Sequence, residues 1–131
     1  MKTIVTRFLT IALLVSAIAI GAGCAAVVVG AAAGAGTAVY VSGELKAREY
    51  TSYDPAWDAT MAGMNDLGYA VTEQEKGAVE GDIVARAPGD KKIKVQVRKV
   101  SGTIAEFRIR VGTWGDKAYS EAILQTIKKH L

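Results

Sequence analysis

Residues 79–111 read VEGDIVARAPGDKKIKVQVRKVSGTIAEFRIRV. Side chains alternate across a strand, so residues two apart share a face. In 79–86 the apolar set is Val79, Ile83 and Ala85, against Glu80, Asp82 and Arg86. After the turn residues Pro88-Gly89-Asp90, Ile93, Val95 and Val97 alternate with Lys94, Gln96 and Arg98. After Ser101-Gly102, the stretch 103–111 sets Ala105, Phe107, Ile109 and Val111 against Glu106, Arg108 and Arg110. Three consecutive runs of period two, joined by short turn signals, predict antiparallel strands with one dry and one wet face.

Working outward, the dry face needs a cover, and the flanking segments supply two helices. On the N-terminal side, Asp54-Pro55 reads as a helix start, with Asp54 as N-cap and Pro55 at the first helical position. Trp57, Met61, Met64 and Leu67 follow at helical spacing, and Gly68 is placed to end the helix. On the C-terminal side, Asp116 is a second N-cap, and Ile123, Leu124, Ile127 and Leu131 form the apolar stripe. Further strands are expected at 45–52 and 69–73. The predicted fold class is α+β, ordered β-α-β-β-β-β-α, an antiparallel sheet with both helices on one face.

The first third of the chain has a different character. No charged residue lies between Arg7 and Glu44, an interval of 36 positions. Lys2 and Arg7 precede an apolar run from Phe8 to Ile20, then Gly21-Ala22-Gly23 and Cys24, the one cysteine of the chain. A positive flank, an apolar core and small residues before a cut are the layout of a secretory signal peptide. A cysteine directly after them resembles a lipobox, in which the thiol receives a diacylglyceryl group and becomes the first residue after cleavage. Gly21 stands where that signal usually has Leu. Two or three acyl chains hold a protein firmly on a bilayer, where one holds it marginally. The expected division is 1–23 signal peptide, 24–43 lipidated cysteine and membrane-proximal segment, and 44–131 the small α+β domain. Ala25, in place of an Asp that would favour retention at the inner membrane, points to the outer membrane facing the periplasm, with the inner membrane as the alternative.

Residues 25–43 contain seven Ala, five Val and four Gly and no Leu, Ile or Phe. Strong bilayer insertion relies on those larger side chains, so spontaneous insertion is marginal. Three readings stay open: a helix lying on or in the membrane, a spanning helix, and a small-residue linker. Gly30 and Gly34 have the spacing that lets two helices approach closely in lipid, which would permit a homo-oligomer.

Charge separates along the domain. Residues 44–90 carry four basic and ten acidic side chains, and residues 91–131 carry ten basic and three acidic. Lys94, Arg98, Arg108 and Arg110 fall on the wet face as a basic stripe. The stripe would meet an envelope protein, a polyanionic polymer or lipid headgroups; alternatively it pairs across strands with Glu80 and Asp82. Trp114, between Gly112 and Gly115, is a further exposed contact or packs over the sheet edge. Without Lys2 and Arg7 the chain carries 14 basic and 13 acidic groups, a near-neutral balance that argues against nucleic acid as partner. His130 is the single histidine and Cys24 the single cysteine, so no metal cluster is expected, and no nucleophile–base pair or phosphate loop is present to suggest an enzyme. No catalytic residue, metal or cofactor is assigned.

Taken together, several motifs resemble a family of short bacterial lipoproteins, the domain-of-unknown-function 3568 group. They are Cys24-Ala25-Ala26-Val27-Val28-Val29-Gly30, Gly34-Ala35-Gly36 leading to Tyr40 and Gly43-Glu44-Leu45, Trp57-Asp58-Ala59-Thr60, Asp66-Leu67-Gly68, and Arg110-Val111-Gly112-Thr113-Trp114-Gly115-Asp116. The resemblance spans nearly the whole chain. It implies one site, the lipidated Cys24, and no activity or cofactor.

Overall fold

The computed structural model describes residues 36–131. Its three central strands are those the alternation predicts: β4 (Glu80–Ala87), β5 (Lys91–Lys99) and β6 (Ala105–Val111). Preceding them are β1 (Thr37–Val41), β2 (Glu44–Glu49) and β3 (Ala70–Lys76). Helix α1 (Tyr53–Asp66) connects β2 to β3, and helix α2 (Lys117–Lys128) follows β6. One antiparallel sheet results, ordered β1-β2-β6-β5-β4-β3. The fold is therefore α+β in the expected order, with one extra strand at the front.

That strand is the main difference from the sequence reading. Thr37–Val41 lies within the segment 24–43 expected to be membrane-proximal, yet it pairs with β2 from Thr37↔Arg48 to Val41↔Glu44. Its Thr-Ala-Val-Tyr-Val composition suits a strand through β-branched and aromatic side chains. The charge-free surroundings hide it, because an edge strand without charged residues has the same composition as the Ala/Val run before it.

The core lies between the sheet's inner face and the two helices. Ile83, Ile93, Val95, Val97, Phe107, Ile109 and Val111 are buried from the sheet, with Trp57 and Met64 from α1 and Ile123, Leu124 and Ile127 from α2. Each such side chain stabilises the fold by about 1.5–3 kcal/mol when fully buried. Two glycines allow close packing here. A Cβ on Gly63 would lie 3.0 Å from Ile127 Cγ1, so the helices touch almost backbone to backbone. On Gly81 it would run into the Trp57 ring, which lies directly on β4.

Local details depart from expectation in four places. Helix α1 is capped by Ser52, not Asp54; the Ala56 N–H donates to the Ser52 carbonyl at 3.1 Å, and Pro55 is the third helical residue. The first helical turn has no intrahelical use for its N–H groups, so proline fits there as well as one position earlier. Gly68 does stop the helix, at φ +69°. Val79 precedes β4 and is 58% exposed, because the inner-face series runs out beyond Gly81. Leu131 lies beyond α2 and is 46% exposed. The α2 cap is as expected: the Asp116 carboxylate accepts from the Tyr119 N–H at 3.0 Å.

Candidate functional site

The outer face of the sheet carries the side chains singled out from the sequence. Register fixes their neighbours. One row across the strands runs Glu80, Arg98, Glu106, Arg48, and the next runs Asp82, Gln96, Arg108, Lys46. Beyond them come Val84, Lys94, Arg110, Glu44, and finally Arg86 beside Lys92 at the turn end.

In the first two rows cations meet carboxylates. Glu106 accepts from Arg108 Nε at 2.8 Å and from Arg48 Nε at 3.0 Å. Clamped between two guanidinium groups, its side chain is only 8% exposed although it points to the wet face. Burial pushes its carboxyl upward, but the bonds from Arg108 and Arg48 outweigh that and leave it below the ordinary carboxylate value. Conversely, the bond to Glu106 raises Arg108. Arg98 Nε lies 3.9 Å from Glu80, and Gln96 Nε2 bridges Glu80 and Asp82 at 3.2 and 3.3 Å. The cross-strand pairing alternative for the stripe is thus realised for Arg98 with Glu80 and for Lys94 with Asp82 at 3.4 Å, while Arg108 is engaged by Glu106 of its own strand.

The turn end is different. A cleft of about 510 Å³ opens there, lined by Arg86, Asp90, Lys91, Lys92, Lys94, Arg110, Gly112 and Thr113. Its one carboxylate, Asp90, lies 3.7 Å from Arg86. Lys91 is drawn toward α2, with Nζ 3.8 Å from Asp116 and 4.6 Å from the centre of the Tyr119 ring. Lys94 lies 3.4 Å from Asp82. Among the described residues Arg110 donates only to a neutral group, the Ser42 carbonyl at 3.1 Å, while the adjacent Glu44 turns to Lys46 at 3.9 Å. The Lys92 side chain is exposed and has no ion-pair partner among the described residues.

Immediately beyond Thr113 stands Trp114, 90% exposed. It is a solvent-facing side chain and does not pack over the sheet edge. Its loop is nevertheless held tightly against the β1–β2 turn. A Cβ on Gly43 would lie 2.6 Å from the Trp114 carbonyl oxygen, and one on Gly115 would overlap the Gly43 backbone. Both glycines have positive φ, +80° and +83°, which L side chains rarely adopt.

A family model described as "Protein of unknown function (DUF3568)" matches residues 8–130. The chain belongs to this family. No curated protein matches it.

The site residues of the sequence reading thus fall into three groups. Arg98 and Arg108 are engaged by acids; Lys94, Arg110 and Trp114 lie at or beside the cleft; Cys24, Gly30 and Gly34 are outside the described residues. Arg86 and Lys92 were missed, although the hairpin around Pro88-Gly89-Asp90 carried the signal that makes them cross-strand neighbours. His130 Nε2 lies 2.5 Å from Asp66 Oδ2, joining the C-terminal ends of the helices, a contact that sequence spacing does not show. Among the described residues no group of three His, Cys, Asp or Glu side chains is placed to hold a metal, and no helix is long and apolar enough to cross a membrane.

Proposed function

We propose that this chain is a lipoprotein of the bacterial cell envelope, anchored through acyl chains on Cys24, whose domain is a non-enzymatic binding or scaffolding module. One observation carries the reading. A positively flanked, charge-free apolar run ends in Gly21-Ala22-Gly23 directly before the one cysteine of the chain. Ala25 after that cysteine favours the outer membrane, with the domain in the periplasm. Residues 25–36 separate Cys24 from β1, and such a stretch fully extended reaches at most about 45 Å. The module is therefore kept within reach of the bilayer that carries it.

The test is intact-mass measurement on protein made in a bacterial host, together with fractionation of Cys24→Ser. The expected product begins at Cys24 and carries added acyl mass, and Cys24→Ser leaves the membrane fraction. An unprocessed chain that stays in membranes when Cys24 is replaced overturns the reading. It would favour instead an uncleaved apolar segment ahead of β1 as the membrane anchor, with Gly30 and Gly34 as its self-association contact.

A further inference from the structure

The open sheet face gathers its unneutralised positive charge in one concave place. Arg86, Lys92, Lys94 and Arg110 converge on the cleft, and two of them, Lys92 and Arg110, have no carboxylate partner among the described residues. Beside it, a backbone locked by Gly43 and Gly115 holds Trp114 out into solvent. A large aromatic surface exposed on a fixed loop costs little entropy to use on binding. We propose that the cleft and Trp114 form a binding site for an anionic glycan. The Arg and Lys side chains take a carboxylate or phosphate group of the chain, and the apolar face of a sugar ring lies on the Trp114 indole.

Two observations favour this ligand over a flat anionic membrane. Over residues 44–131 the positive and negative charges nearly cancel, 14 basic against 13 acidic, so a broad negative surface gains little from the domain as a whole. The cations instead line a cleft, which a narrow chain can enter, and Arg presents a fork that matches carboxylate or phosphate geometry. The cleft is also at the Val41 end of β1, opposite the Thr37 end at which the tether enters. The proposal deepens the binding-module reading and rests on it for location. An exported domain meets the acidic sugar polymers of the envelope.

The full chain in neutral detergent micelles is titrated with an octamer of galacturonate, followed by calorimetry and by tryptophan emission. Binding is expected, weakened by added salt, and at least about tenfold tighter than for a neutral octamer of glucose. Lys92→Glu with Arg110→Glu should weaken it about tenfold or more, and Trp114→Ala should weaken it several-fold and remove most of the emission change. Should the double reversal fail to fold, Lys92→Ala alone must weaken binding measurably. Equal affinity for the neutral octamer, or unchanged affinity in these variants, overturns the proposal. So does a response to phosphatidylglycerol added to the micelles with none to the glycan, which would assign the cleft to a lipid headgroup. Glycan binding that survives in Cys24→Ser would leave the cleft intact even where anchoring through Cys24 had failed its own test.

Discussion

The two ends of the outer sheet face contain the same residue types and behave differently. At the Thr37 end, Arg48 and Arg98 each face Glu80 or Glu106 across a strand, and Arg108 pairs with Glu106 along its own strand. At the turn end, Lys92 lies beside Arg86 and Arg110 beside Glu44, but Glu44 turns to Lys46, and neither cation has a carboxylate partner among the described residues. A count of basic side chains along β5 and β6 makes the stripe look uniform. The acids decide otherwise, since Glu80 and Glu106 occur at one end of their strands only. Availability for a ligand is thus a property of where the acids sit and which cation each one turns to, more than of composition.

The sharpest way to break this contrast is to disturb the contact that shapes the cleft end. Gly115→Ala forces a Cβ into the Gly43 backbone at a φ of +83° and should destabilise the domain by about 3 kcal/mol, read as a lower urea midpoint. An unchanged midpoint would mean that the loop is not clamped. At the paired end, Glu106→Gln leaves two guanidinium groups without their acid and should cost about 2 kcal/mol. Because the folded Glu106 carboxyl lies below its ordinary value, its stabilisation is present above about pH 4.5 and is lost as pH falls. The wild-type midpoint should therefore drop between pH 5 and 3, with a shallower drop in Glu106→Gln. The smallest effect belongs to the free cation. Lys92→Ala should change stability by less than about 0.5 kcal/mol while affecting anion binding, which separates the two ends by their readouts. A loss comparable to that of Glu106→Gln would show that Lys92 is structural.

Much of the fold was readable because it rests on periodicity. Ile93, Val95 and Val97 occupy alternate positions of nine residues, and only a strand puts them on one side. The caps at Gly68 and Asp116 were readable for local reasons, a positive φ and a carboxylate within reach of an N–H. What escaped was set by neighbours distant in the chain. The burial of Glu106 depends on Arg48, 58 positions away, and its own strand pattern marks it simply as outward. Arg86 and Lys92 gain meaning from the concavity between two loops. Strand β1 was masked by an opposite problem, a local composition that fits a membrane as well as it fits a sheet.

The pairing of β2 with β6 has a kinetic consequence. Strands β3 to β6 follow one another as a meander, so each can zip onto its predecessor across a short loop. The β1–β2 hairpin joins that meander only through contacts such as Leu45↔Ile109, which close a long loop containing α1 and three strands. Such a closure is entropically slow and comes late. Any partial opening that detaches this hairpin would also remove the Gly43 seat under Trp114.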